Sequence, residues 1–138
     1  MRIELLALSL ALIPAATVAA PDATTRFDGV WTTTVSCPDT AGAMGFTYEA
    51  PTRIENGVFH AERMHEGEPG RLVIDGQISP DGHAVLSAKG LVGASLYAVG
   101  QRPKGTEYSY HVNAVFRDGA GTGTRVEGRH CDLSFTRQ

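Results

Sequence analysis

The chain has 138 residues, 42% of them hydrophobic, and a formal net charge of -3, which is material for one buried core and hardly two. Its arginines are dispersed and form no basic stripe, so the electrostatic footprint of a nucleic-acid binder is missing. Two cysteines, Cys37 and Cys131, lie in neither a CxxC pair nor a Cys/His cluster, which argues against a zinc site, and no metal or cofactor is expected.

The first twenty residues, MRIELLALSLALIPAATVAA, join an early Arg2 to an apolar run from Leu5 to Ile13 and a small-residue end. That is the build of a secretory signal peptide, and the run is shorter than the about 18 residues a membrane helix needs. Residues 1–20 are therefore expected to be removed, leaving 21–138 as a single domain in the periplasm or the medium. There an oxidising compartment would close the Cys37 to Cys131 bond.

From residue 30 onward the pattern has period two, broken by Gly, Pro, Asn and Asp. Eight strands are predicted, near 30–37, 45–54, 58–64, 71–78, 83–90, 96–101, 107–117 and 124–136. Asn56-Gly57 suits a type I′ turn that pairs Glu55 with Val58 and Ile54 with Phe59. Pro80-Asp81-Gly82 suits a turn with a Gly bulge, setting Ile78 beside Ala84 and Ile74 beside Ala88. DGAGTGT, 118–124, reads as a flexible loop, and no helix start follows it to cradle a phosphate.

A disulfide brings its two backbones close, and the simplest source is a first strand lying beside the last. With Cys37 opposite Cys131, antiparallel pairing sets Val35 against Leu133, Thr33 against Phe135 and Trp31 against Arg137. The expected fold is all-β, an eight-stranded antiparallel up-and-down barrel, with Trp31 plugging one end and the Arg137 guanidinium covering its ring. Gly29-Val30-Trp31 at the start of the first strand and Arg137 near the end of the last resemble the signature of the calycin barrels, the lipocalins, avidins and their relatives. That resemblance implies a barrel with a ligand mouth. The layout is also similar to small exported bacterial proteins of unassigned role, and to periplasmic barrels that inhibit secreted metalloproteases.

Alternation along the strands puts the turns 54–58, 78–83 and 101–107 at the Trp31 end and the longer loops PDTAGAMG, HEGEPG, LVGAS and DGAGTGT around an open mouth. Arg63, Arg125, Glu127 and Arg129 are expected to point inward there, as either a salt-bridged lid or a polar binding end. Tyr48, Tyr108, Tyr110, Phe46, Phe59 and Phe116 also point inward, and either fill the interior or wall a pocket. The five histidines fall mostly on outward positions or in loops. No nucleophile elbow, Cys/His pair or singled-out carboxylate pair supports catalysis. The favoured function is the binding of a small or polar molecule, with Arg63, Arg125 and Arg129 as polar contacts and Tyr110, Tyr48 and Phe116 as the apolar wall. The alternatives are a protein-interaction module, such as a protease inhibitor presenting PDATTR or the mouth loops, and a packed envelope protein that binds nothing.

Overall fold

The computed structural model describes residues 11–16 and 24–138. The expected signal peptide, 1–20, lies for the most part outside the described residues. Eight strands follow in chain order: β1 (Gly29–Cys37), β2 (Phe46–Glu55), β3 (Val58–Arg63), β4 (Leu72–Gln77), β5 (His83–Leu91), β6 (Glu107–Phe116), β7 (Ala120–Arg125) and β8 (Asp132–Arg137). Each pairs antiparallel with the next and β8 returns to β1, so the sheet is a closed barrel. Among the described residues no helix is long and apolar enough to cross a membrane.

Closure follows the expected register. Val35 pairs with Leu133, Thr33 with Phe135 and Trp31 with Arg137, and the Cys37 to Cys131 disulfide joins Cα atoms 4.2 Å apart at the end of that ladder. The turn at 56–57 also forms as read. Asn56 and Gly57 take φ of 51° and 75°, the left-handed values a type I′ turn requires, and Ile54 pairs with Phe59. The Asp28 carboxylate accepts from both turn amides, Asn56 N at 2.8 Å and Gly57 N at 3.2 Å.

Two strand assignments need correction. Residues 96–101, expected as a strand, form two 3-10 turns, Ser95–Tyr97 and Val99–Gln101, inside a long connection from 92 to 106. Gly100 and Gln101 sit at φ 74° and 51°, so no extended run can pass through them. The expected strand 124–136 is instead β7, a turn over 126–131 and β8, with Gly128 at φ 76° in the middle of the turn. DGAGTGT belongs largely to β7. Its inward positions are Gly121 and Gly123 because a Cβ on Gly121 would stand 3.0 Å from Phe116 and one on Gly123 2.8 Å from Val112. Glycines that read as loop chemistry are therefore clearance for rings packed on the strand.

These shifts also move two connections between the ends. The connection containing 101–107 rims the mouth, whereas 117–119 is a tight turn at the Trp31 end. That end is packed solid. Trp31 meets Phe116 edge-on at 5.7 Å, Phe59 meets Phe135 at 5.4 Å, and Phe116 and Phe135 lie 4.7 Å apart. Phe27, 0% exposed, folds in from the segment before β1, and its carbonyl accepts from Trp31 Nε1 at 2.8 Å. The Arg137 guanidinium covers the Trp31 ring at 5.0 Å and donates to the Asp118, Arg26 and Asp28 carbonyls.

The cross-link spans 94 residues, and loops near that length stabilise by about 4–5 kcal/mol when closed. Replacing Cys37 and Cys131 together by Ser is expected to lower the unfolding free energy by about 3–5 kcal/mol in urea titration. In the native protein both thiols should alkylate only after reduction.

Candidate functional site

Beyond the packed end the barrel opens into a cavity of about 880 Å³. Its walls come from alternate residues of β2 and β6: Phe46 and Tyr48 on one, Tyr108 and Tyr110 on the other. Side chains that alternate along a strand stand one above the next, so each pair stacks in parallel, Phe46 with Tyr48 at 5.4 Å and Tyr108 with Tyr110 at 6.1 Å. Tyr97, on the 92–106 connection, closes edge-on against Phe46 at 6.0 Å. The rim is made by the loops 38–45, 64–71, 92–106 and 126–131.

Arg63, Arg125 and Arg129 all line this cavity, as do Tyr48 and Tyr110. Phe116 does not. It lies at the far end of β6, 2% exposed and packed against Trp31, Phe59 and Phe135, so it belongs to the plug. Glu127 also departs from expectation, because the turn at 126–131 rotates it to the outer surface, where its carboxylate accepts from His111 N at 2.7 Å and meets His111 Nδ1 at 2.6 Å.

With Glu127 outside, the salt-bridged lid does not form. Among the described residues every Arg ion pair involves Arg26, Arg53 or Arg71, none of which lines the cavity. The three mouth guanidiniums rest on ring faces instead: Arg63 over Tyr48 at 4.5 Å, Arg125 over Tyr110 at 4.1 Å and Arg129 over Phe46 at 5.2 Å. Each such contact is worth about 0.5–2 kcal/mol and does not neutralise the charge.

The three differ in what they hold. Arg63 donates once, to the Gly70 carbonyl at 2.9 Å, and Arg125 once, to the Glu127 carbonyl at 2.6 Å. Arg129 donates to the Tyr97, Pro38 and Met44 carbonyls, which ties the loops 38–45 and 92–106 across the mouth, and its buried Nε has no partner among the described residues. Burial, then the Arg125 charge, pulls Arg129 below the ordinary arginine value. It is a latch for the rim rather than an open contact.

The phenols stay protonated. Burial, with the neighbouring Tyr110 and Tyr108 adding to it, pushes Tyr48 far above the usual tyrosine range. Burial pushes Tyr110 up to about 12 and raises Tyr108 too. At neutral pH the cavity therefore combines O–H groups, ring faces and cationic donors, and no carboxylate is among the described residues that line it.

A second depression, about 630 Å³, lies on the outer face between Arg53, His60, Glu62, His65 and Arg71. Two of its charged groups already have partners: His60 bonds Asp75 at 2.5 Å and Arg71 bonds Glu62 at 2.6 Å. The hydrogen bond to Asp75 holds the His60 pKa above its usual value. Among the described residues no group of three or more His, Cys, Asp or Glu is placed to hold a metal ion. Comparison of the chain with protein-family models, curated proteins and solved structures finds no match.

Two outcomes follow from this geometry. Arg129→Ala is expected to cost about 1.5–3 kcal/mol, the worth of hydrogen bonds from a charged donor, and to speed amide exchange at Met44, whose N–H bonds the Leu96 carbonyl. Tyr48 and Tyr110 keep in the folded state the protons that the unfolded chain releases near pH 10. Their contribution is complete below pH 10 and is lost as pH climbs past it. Absorbance titration at 295 nm should show phenolate appearing late, and unfolding free energy falling above pH 10.

Proposed function

We propose that the protein is an exported, calycin-like binding barrel that holds a small molecule in the mouth cavity and performs no catalysis. Arg63 and Arg125 are its polar contacts, and Tyr48, Tyr108, Tyr110 and Phe46 its walls. The observation that carries this reading is the contrast between the two ends. Rings fill one half to solid density, while the other keeps about 880 Å³ of space lined by aromatic and cationic groups. Small barrels that enclose one ligand have this plan. Keeping Arg63 and Arg125 partly buried with one carbonyl each is costly unless something compensates them, and a bound ligand would do so. The Gly29-Val30-Trp31 start beneath Arg137 supports the calycin likeness, and the disulfide supports an oxidising compartment such as the periplasm or the medium.

A protein partner over the mouth is the second reading. It is favoured by the exposed apolar side chains of Met44, Met64, Leu96 and Val99 on the mouth loops.

Native mass spectrometry of protein purified from its own cells is expected to show an excess small mass that disappears on denaturation. A bare protein mass, with no thermal shift across a panel of small organic molecules at millimolar concentration, would contradict binding. A co-purifying polypeptide in place of a small mass would move the assignment to the partner.

A further inference from the structure

The two walls of the cavity repeat one arrangement. β2 and β6 lie half-way round the closed sheet from each other. They send inward Phe46, Tyr48 and Ala50 on one side, and Tyr108, Tyr110 and Val112 on the other. In both, the two rings are parallel, within 8° and 2°. The second ring lies under a guanidinium from the next strand, Arg63 over Tyr48 and Arg125 over Tyr110. The registers make this a positional match. Arg125 pairs with Val112, so Tyr110 sits two residues along the diagonal. The β2–β3 ladder, continued one inward step beyond Thr52 and Ala61, sets Arg63 against Ala50, with Tyr48 on the same diagonal.

Among the described residues each guanidinium gives one hydrogen bond, to a backbone carbonyl, and pairs with no acid. An arginine carries five N–H donors in a fork that matches an oxyanion, so most of that capacity is unspent. The cavity thus has two cationic poles on opposite walls with flat ring faces between them. A neutral ligand would leave both poles uncompensated, and a small monoanion would serve one.

We propose, on the binding reading above, that this cavity takes an organic dianion with a flat apolar spacer. One oxyanionic end meets Arg63 and the other Arg125. The rings of Phe46, Tyr48, Tyr108 and Tyr110 cover the spacer. Arg129, committed to the rim loops, adds positive field and no direct grip.

Calorimetric titration at low ionic strength tests this with four probes: terephthalate, benzoate, phenyl phosphate and benzamide. Terephthalate is expected to bind at least ten-fold more tightly than benzoate or phenyl phosphate. Arg63→Gln and Arg125→Gln should each erase that advantage while the circular dichroism spectrum is kept. Where Arg63→Gln fails to fold, Arg125→Gln carries the test alone, because removing either pole should reduce terephthalate to benzoate. Phenyl phosphate, with both charges at one end, matching terephthalate would overturn the two-pole arrangement, as would equal binding of benzoate. Benzamide binding as well as terephthalate would overturn the anionic ligand and keep the cavity reading. Absence of binding by all four would overturn both.

Discussion

Pairing β1 with β8 leaves the sheet without a free edge, and every strand then has one set of side chains that must share a fixed interior. The pairing is held by the Val35 to Leu133 and Thr33 to Phe135 steps and by the disulfide at their end. An eight-stranded barrel has an interior just wide enough for side chains, or for side chains over part of its length and one small ligand over the rest. What each strand sends inward therefore decides where the space is filled. Trp31, Ile54, Phe59, Phe116 and Phe135 fill one half, and Phe27, from the segment before β1, closes it.

The two ends handle arginine in parallel ways. Arg137 lies over Trp31 and gathers three carbonyls from the segments around the closed end. Arg129 lies over Phe46 and gathers three from the loops around the mouth. A guanidinium suits this task because its fork can reach several carbonyls while its flat face covers a ring. Both leave a buried Nε with no partner among the described residues, which is the cost of bonding through the outer nitrogens. Arg63 and Arg125 are different, since they tie little together and face space. Their placement fits the recognition role proposed above, whereas Arg129 and Arg137 hold loops and strand ends together.

Much of the barrel was legible because period two and a pair of cysteines constrain the same object. Placing Cys37 against Cys131 determined which residues face Trp31, Thr33 and Val35, and Asn56-Gly57 set its hairpin independently. The assignments that went astray lie where local chemistry is ambiguous. Gly121 and Gly123 look like a loop until the rings they clear are known, and the left-handed turns at Gly100, Gln101 and Gly128 interrupt runs that read as extended. Those errors carried Phe116 and Glu127 into the candidate site and left Tyr97 out of it. Phe116 shares the inward face of β6 with Tyr110, and period two alone does not say how far along the barrel the packing stops. The inward turn of Arg63 and Arg125 was readable. The missing acid partners were not, because Glu127 leaves the interior only through the turn that the expected long strand concealed.

On the proposed reading the mouth half of the barrel is a cationic binding cavity and the Trp31 half is inert core. NMR observation of the arginine Nε–H, tyrosine ring and Trp31 indole signals during addition of terephthalate tests it most directly. Shifts at Arg63, Arg125, Tyr48 and Tyr110 with the Trp31 indole unmoved are predicted. Shifts confined to His60 and Arg71 on the outer face, or no shift at the mouth residues at saturating probe, would contradict it.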